Sequence, residues 1–465
     1  MNIHTLIHTL AAVAPARVAL RCVVALICVG APLAMAAPAA AQVADVEAAL
    51  PFEAPSAEIL AARRARLIDS IGTGVVLVRS ATSRDIERDY PQDSDFRQNN
   101  DFLYLTGLET PDSWLLLAAP DDGPVIERLF IPERNEMMER WTGRKPSFED
   151  AAAISGIAEV AATDDVGGGL RRLAFRRGGS TTVYAPLNER TRDEELIQRL
   201  LFDWPLEVRD VEPVIAQLRL VKDEFEMATL QRAIDITTAA HRAAMRHARP
   251  GMYEYELEAV IEYTFRAGGA ERVGFPSIVG SGPNSVVLHY DKSRRMMEDG
   301  DLVVIDIGAE YSYYTADVTR TIPVSGQFDD RQRAIYEVVL GAQQAGMDAV
   351  KPGATIEDVN AASRAWMREN SGDLCGDQTC DSYYVHGVGH WLGMDVHDVG
   401  AYSAPFEPGM VLTVEPGIYL AEEALGVRIE DDVLVTETGY RLLSDGAPRD
   451  PDEIEALMQQ RLSLK

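Results

Sequence analysis

The sequence predicts an α/β N-terminal domain followed by an α+β domain. Its 465 residues exceed what one hydrophobic core usually organises, so two domains are expected. In the first half, apolar runs bounded by glycine and proline alternate with helical patterns, which is typical of strands covered by helices. In the second half, long amphipathic patterns precede a strand-rich region. Hydrophobic residues form 46% of the chain, as in ordinary globular proteins.

The first domain is predicted to span residues 52–208. Buried strands are indicated where apolar runs are bounded by turn-forming residues, at 74–78, 114–119, 127–131 and 181–185. Helical patterns separate them at about 56–70, 147–157 and 193–202. Because Pro205 and Pro213 interrupt the chain, the domain boundary is predicted to lie between them.

The second domain is predicted to span residues 214–455. A long amphipathic helix begins at Lys222 and ends near His247, before Pro250-Gly251. A second helix covers about 254–267. The strand-rich region after residue 270 contains every pattern that indicates chemistry.

Residues 1–41 have the pattern of a secretory signal peptide. Arg17 and Arg21 precede an apolar run of about 15 residues, and Ala39-Ala-Ala41 is a small-residue cleavage site. The run is shorter than the ~20 residues of a membrane span, although a retained N-terminal anchor is the alternative. The pattern predicts a periplasmic or secreted protein, cleaved near Ala41.

Cysteine content and net charge agree with export. Beyond the signal peptide only Cys375 and Cys380 remain, and in an oxidising compartment a disulfide is favoured over a metal site that lacks its other ligands. The net charge is −29, and the loss of the two arginines of residues 1–41 makes it −31. Such a surface argues against nucleic acid as a partner, and against an anionic membrane after signal cleavage.

Two aspartates lie where strands are predicted. Asp306 stands between Ile305 and Ile307, where an uncompensated carboxylate is costly. Asp317 lies in the next predicted strand, residues 314–322, after a turn predicted around residues 310–312. A hairpin paired about that turn would set Asp306 and Asp317 opposite each other, and two such charges need a proton or a cation between them. The alternative is a satisfied pair of surface aspartates.

Histidines and further carboxylates follow. His386, His390 and His397 fall within twelve residues amid glycines, whereas His241 and His247 lie on the long helix and are interpreted as structural or surface residues. Glu415 ends an apolar strand, and in residues 427–433 Arg428 and Glu430 share one face. Four carboxylates and one imidazole match an oxygen-rich site for two metal ions.

Taken in order, these strings resemble the pita-bread metallopeptidase family, specifically aminopeptidase P (Xaa-Pro aminopeptidase) and its relative prolidase. The resemblance covers essentially the whole chain after the signal peptide. The strings that carry it are Asp95-Phe-Arg-Gln-Asn-Asn-Asp-Phe-Leu-Tyr-Leu-Thr-Gly107, Leu288-His-Tyr290, Val304-Ile-Asp-Ile-Gly308, Ala316-Asp-Val-Thr-Arg-Thr321, His386-Gly-Val-Gly-His-Trp-Leu-Gly393, Val396-His-Asp-Val-Gly400, Leu412-Thr-Val-Glu-Pro-Gly-Ile-Tyr419 and Val427-Arg-Ile-Glu-Asp-Asp432.

The resemblance implies a creatinase/aminopeptidase P-like N-terminal domain and a pita-bread catalytic domain. It implies that Asp306 and Asp317 bind one metal ion and that His390 and Glu415 bind the other. Asp317 and Glu430 would bridge both ions. It further implies that the chain acts on peptides with proline in second position and forms a homo-oligomer, a dimer or tetramer. Candidate substrate-binding residues are His289, His386, His397, Arg428 and Tyr419.

The expected mechanism is attack by a water-derived hydroxide that bridges the two ions. Glu415 is the candidate general base, His397 the candidate oxyanion donor, and His386 and His289 are candidate wall or proton-transfer groups. The hard oxygen ligands favour Mn²⁺, with Zn²⁺ and Co²⁺ as the other candidates.

Two alternatives remain open at this point. The first is a prolidase-type dipeptidase, because the segment between Asp398 and Glu407 is short and lacks an arginine that aminopeptidase P sequences often carry. The second is a non-catalytic peptide-binding relative, which is disfavoured because all five ligand positions are filled.

Overall fold

The structure, a computed structural model, describes residues 54–82, 96–120, 123–175, 182–188 and 195–460. The predicted signal peptide and its cleavage site near Ala41 lie outside these residues. Among the described residues, no helix combines the length and the apolar character that a membrane span requires.

A six-stranded mixed sheet forms the first half of the chain, in the order β4-β3-β2-β1-β5-β6. Its strands are β1 (Gly74–Arg79), β2 (Trp114–Ala119), β3 (Ile126–Ile131), β4 (Val160–Ala162), β5 (Val183–Ala185) and β6 (Val208–Asp210). The helices are α1 (Ala57–Ile71), α2 (Asn100–Thr106), α3 (Glu136–Thr142), α4 (Phe148–Ser155), α5 (Val166–Ala174) and α6 (Glu195–Gln198), which continues as a π-helical turn. All four predicted strands and all three predicted helices are confirmed, with shifted ends.

Both faces of this sheet are covered, which explains why β1 and β2 are continuously apolar. Val76 and Val78 pack with helices α1, α2 and α4 in one hydrophobic cluster. Val75 and Leu77 point the other way and pack with α5 and α6. The first of these clusters also contains Leu230 and Val411 from the second half of the chain. The two halves therefore share hydrophobic core across the predicted boundary.

The second half combines helices with four small sheets. The helices are α7 (Glu212–Leu220), α8 (Glu224–His247), α9 (Glu254–Ala267), α10 (Asp330–Ala349), α11 (Ile356–Asn370) and α12 (Pro451–Met458). The sheets have the orders β7-β10-β11, β8-β9-β12, β13-β16-β17 and β14-β15. Their strands are β7 (Arg272–Val273), β8 (Ile278–Ser281), β9 (Leu302–Ile307), β10 (Ala309–Tyr311), β11 (Tyr314–Thr315), β12 (Val318–Pro323), β13 (Val411–Val414), β14 (Gly417–Leu420), β15 (Leu425–Arg428), β16 (Asp431–Val435) and β17 (Tyr440–Leu442).

The hairpin that carries the two aspartates exists, but its predicted register is wrong. Asp306 pairs with Thr319, so Asp317 is its diagonal neighbour. The turn is centred on Ser312 and Tyr313, which have φ of 52° and 69°, the two positive values of a type I′ turn. Because the register differs from the prediction by two residues, both carboxylates still lie on one face.

The prediction of a strand-rich region after residue 270 is wrong for α10 and α11. Both helices begin with a capping box, formed by Asp329 with Gln332 and by Thr355 with Asp358. These capping signals were present in the sequence and indicate helix starts. The predicted disulfide between Cys375 and Cys380 is confirmed and follows α11 directly.

A buried ion pair joins β12 to β16. The Arg320 guanidinium lies 2.7 Å from the Asp431 carboxylate, and both side chains are fully buried. Arg320 also donates to the carbonyl of Glu430. The pair thus fixes the backbone at a predicted metal ligand.

Asp431→Ala is expected to lower the free energy of unfolding by about 3–5 kcal/mol, because Arg320 would stay buried without its counter-charge. Chemical denaturation of metal-free protein measures the loss. Glu159→Ala, which breaks the exposed pair between Arg128 and Glu159, is the matched control and should cost less than about 1 kcal/mol. Equal losses in the two variants would contradict the prediction.

Candidate metal centre

A cavity of about 690 Å³ in the second half of the chain gathers nearly all the predicted site residues. Tyr419 stands just behind its wall and reaches it through hydrogen bonds. Residues drawn from distant parts of the sequence therefore converge on one place. The predicted residues that line the cavity are Asp306, Asp317, His390, Glu415 and Glu430, together with His289, His386, His397 and Arg428.

The five predicted ligands stand in strands or beside strand ends. Asp306 lies in β9, Asp317 directly before β12, and Glu415 directly after β13. Glu430 lies between β15 and β16, and His390 precedes an isolated bridge between Trp391 and Leu412. At these breaks the backbone leaves the ladder, so side chains from separate sheets can face one another.

The hydrogen bonds of His390 prepare it as a ligand. Its backbone N–H donates to Thr413 Oγ1, and its carbonyl accepts from the Thr413 N–H. Its Nδ1 lies 3.0 Å from the Trp391 carbonyl, which requires the proton on Nδ1. Nε2 therefore keeps its lone pair, 3.2 Å from Asp317 Oδ2 and 3.7 Å from Glu415 Oε1.

The donor set fits a divalent cation. Ligand atoms of Asp317, His390 and Glu430 lie within 4.8 Å of one another. Oδ1 of Asp306 and Oδ1 of Asp317 are buried without a hydrogen-bond partner. An unpaired buried carboxylate oxygen costs free energy that a coordinated cation would offset. The residues present therefore fit metal ions, and hard oxygen atoms predominate among them.

Burial makes these carboxylates hard to ionise in the absence of cations. It raises the pKa of Asp317 and of Glu430 well above the ordinary range, and neighbouring carboxylates add to the increase. Burial also raises the pKa of Glu415 to about 7. A cluster of this kind holds protons at neutral pH until positive charge replaces them.

Arg428 and Tyr419, both predicted to bind substrate, form a hydrogen bond with each other. Arg428 also contacts a predicted metal ligand, Asp306. Arg428 Nη2 donates to Asp306 Oδ2 at 2.6 Å, and Nη1 donates to the Tyr419 hydroxyl at 3.1 Å. Asp306 therefore has one oxygen fixed and the other free. In this structure Arg428 orients a ligand, while its role toward substrate stays a prediction.

His386 and His397, in the cavity wall, are neutral at pH 7. His386 Nε2 lies 2.8 Å from the Tyr419 hydroxyl, and burial lowers the pKa of His386 to about 4. Burial and the neighbouring His390 lower the pKa of His397 to about 4, and the two rings are 4.0 Å apart at their centroids. His289 comes from another part of the chain, the segment between β8 and β9, and also lines the cavity. Neutral imidazoles can either donate or accept a proton here.

The helical His241 is buried, with Nε2 at 2.8 Å from the Val318 carbonyl, as its structural interpretation requires.

Sequence analysis missed several residues that support the site. The fully buried Asp432 accepts a hydrogen bond from the backbone N–H of Asp317, and its run with Glu430 and Asp431 was the available signal. Thr319 donates to Glu430 Oε2 at 2.6 Å. Tyr402, in the short segment after Asp398, lines the cavity.

The loop that carries His397 is held by a buried charge cluster, also missed. The Asp398 carboxylate contacts Arg219 at 2.5 Å and Lys222 at 3.1 Å. Arg219 also pairs with Asp101 of α2, at 2.7 Å. Asp101 of the first half thus supports a loop of the cavity wall through Arg219.

A second contact from the first half reaches the same loop. Arg97 Nη2 donates to the Met394 carbonyl at 2.9 Å, three residues before His397. Arg97 Nε also lies 2.9 Å from Glu310 Oε2. The string that starts at Asp95 therefore anchors the cavity wall.

Comparison with known families gives two matches. Residues 228–437 match metallopeptidase family M24, and residues 60–184 match the aminopeptidase P N-terminal domain. Among curated proteins, the Xaa-Pro aminopeptidase of Escherichia coli K12 is 36% identical over 431 residues, 85% of this chain and 96% of that protein. The human Xaa-Pro aminopeptidase 3 is 32% identical over 391 residues, 78% of this chain and 77% of that protein.

Solved structures agree in fold. Zinc-substituted Escherichia coli aminopeptidase P in complex with product superposes with a TM-score of 0.81 at 35% identity, covering 88% of this chain and 100% of that one. Proline aminopeptidase P II from Yersinia pestis gives a TM-score of 0.80 at 34% identity, covering 87% and 100%. The α/β domain followed by a pita-bread domain is thereby confirmed.

Metal affinity is expected to fall by at least about tenfold per pH unit as the pH decreases below 7, because Glu415, together with Asp317 and Glu430, must lose its proton to bind a cation. Calorimetric titration with Mn²⁺ between pH 6 and 8, in buffers of different ionisation enthalpy, measures the protons released. Glu415→Gln should release about one proton fewer, whereas the exposed Glu407→Gln should behave as wild type. A pH-independent affinity would contradict the prediction.

Proposed function

Because the chain belongs to metallopeptidase family M24, we propose that it is an exported Xaa-Pro aminopeptidase with two divalent metal ions. It would release the N-terminal residue from peptides with proline in second position. One observation carries the proposal. The five predicted ligands and three further histidines line one cavity, in a chain whose match to an Xaa-Pro aminopeptidase covers 85% of this chain and 96% of that protein.

The ions would be held by the five predicted ligands, Asp306, Asp317, His390, Glu415 and Glu430. The free oxygens of Asp306 and Asp317, and the unprotonated Nε2 of His390, support this set. When bound, the ions lower the pKa of water for attack on the peptide carbonyl and attract the developing negative charge. The oxygen-rich donors favour Mn²⁺, with Zn²⁺ and Co²⁺ as alternatives.

Glu415 is the proposed proton carrier. Its carboxylate lines the cavity beside His390, with Oε1 at 3.7 Å from His390 Nε2, so it would lie within reach of a water held by the ions. Glu415 would take the proton of the attacking water and deliver it to the proline nitrogen. That nitrogen leaves as a secondary amine and cannot leave without a proton.

The histidines of the cavity wall serve the other groups of the substrate. His397 can donate its N–H to the oxyanion, since its pKa of about 4 leaves it uncharged and available as a donor. His386, bonded to the Tyr419 hydroxyl, lies 3.8 Å from Glu415 Oε2 at its Nδ1, within reach of the proton carrier. His289 closes the wall of the cavity.

Export and self-association complete the proposal. The disulfide between Cys375 and Cys380 supports an oxidising compartment, the periplasm or the exterior. Helix α3 supports a dimer or tetramer, because it buries none of its residues and exposes 72% of Met137 and 66% of Trp141.

Purified protein with Mn²⁺ is expected to cleave Xaa-Pro-Yaa tripeptides, and Glu415→Gln should lower kcat by at least about 100-fold while the protein stays folded. Removal of metal by a chelator should abolish turnover, and Mn²⁺ should restore it. Activity that survives thorough chelation would overturn the mechanism. Faster cleavage of free Xaa-Pro dipeptides would favour the prolidase alternative.

Expression in a bacterial host with an intact secretion pathway is expected to yield a mature chain beginning at Gln42. N-terminal sequencing of the periplasmic fraction measures the cleavage point. Recovery of the full-length chain in the membrane fraction would instead indicate a retained anchor.

A further inference from the structure

The segment between β8 and β9 carries His289 with little regular structure of its own. Only a short 3₁₀ turn, Gly282–Asn284, lies within it. Leu288, His289 and Asp291 of this segment line the cavity. A loop of this length would sample many conformations unless contacts elsewhere fixed it. The position of His289 must therefore be set by its neighbours.

Both ends of this loop are held by one buried carboxylate, that of Glu254. Its Oε1 accepts hydrogen bonds from the N–H and the hydroxyl of Ser281, at 2.8 and 2.7 Å, and from the Asn284 amide at 3.0 Å. Its Oε2 accepts from the Tyr290 hydroxyl at 2.8 Å and from the Arg295 N–H at 2.9 Å. The Glu254 N–H also donates to the Arg295 carbonyl.

The chemistry of this arrangement requires a carboxylate. Glu254 is fully buried, in the first turn of α9, where the helix dipole favours negative charge. All five partners donate, and a carboxylate is a pure acceptor with two oxygens. A glutamine would turn its NH₂ group toward donors, so one end of the loop would lose its bonds.

We call the hydrogen bonds that Glu254 accepts from Ser281, Asn284, Tyr290 and Arg295 the clasp, and Tyr290 connects it to the cavity. It follows His289 directly, and its hydroxyl both donates to Glu254 and accepts from the Arg294 N–H at 3.2 Å. With its ring fixed at the tip, the backbone beside it cannot rotate freely.

We propose that Glu254 is a positioning residue that closes the loop of residues 281–295 and, through Tyr290, fixes His289 in the wall of the cavity that holds the metal centre. Glu254 itself does not line the cavity. Its effect on the reaction would therefore pass through His289. The kinetic part of this proposal rests on the proposed function, whereas its structural part does not.

Limited trypsin digestion tests the structural part, since Lys292 and Arg294 are exposed in the loop. Glu254→Gln should speed cleavage there about tenfold, and Tyr290→Phe about threefold, because each removes bonds to the buried carboxylate. Tyr255→Phe, an exposed tyrosine of the same helix, is the matched control and should digest as wild type. Unchanged cleavage in both loop variants would overturn the clasp.

Kinetics on Xaa-Pro-Yaa peptides tests the path through His289. Tyr290→Phe should lower kcat/KM about tenfold in the wild-type background and less than about twofold in the His289→Ala background. The effects should not add, because Tyr290 acts on the reaction only through the position of the His289 side chain. Equal effects in both backgrounds would indicate a merely structural role and overturn the proposal. A wild-type chain that cleaves no such peptide would instead refute the proposed function, while the trypsin result would still stand.

Discussion

Like charges crowded into a buried cavity are the constraint on which the rest of this structure depends. Asp317, Glu415 and Glu430 cannot all be ionised there without compensation, as their raised pKa values show. The negative charge of these carboxylates is compensated in two ways. Arg428 neutralises Asp306 by direct contact, and the remaining charge is left to be matched by metal ions. The ionised form of the carboxylate cluster therefore requires bound cations.

The support around the cavity is itself polar and deeply buried. Arg320 pairs with Asp431 and fixes the Glu430 backbone, while Thr319 holds the Glu430 side chain. Each of these groups is satisfied by specific partners, so each is fixed in one arrangement. His386 and His397 add no charge, because burial keeps them neutral. Electrostatics in the cavity are therefore set almost entirely by the carboxylates, Arg428 and whatever cations they hold.

Much of this could be predicted from the sequence because the signals were local. Mid-strand aspartates and histidines among glycines stood out against their apolar surroundings, and the alternating apolar runs located the first sheet. The hairpin register was predicted incorrectly because it depended on which two residues adopt positive φ, and neither Ser312 nor Tyr313 is a glycine. The cluster around Asp398 could not be predicted, since its ion pairs join residues more than a hundred positions apart and each member looks like an ordinary surface charge.

The charge cluster around Asp398 also affects how the protein unfolds. Asp101 and Arg97 belong to the first half, yet they anchor the loop that carries His397, and hydrophobic core is shared across the same junction. Excising the second half would expose the apolar side chains of that core and strip Arg219 of one of its counter-ions. The junction visible in the sequence is therefore a poor place for a proteolytic or evolutionary cut. The two halves should lose their structure in a single cooperative transition, as one unfolding unit.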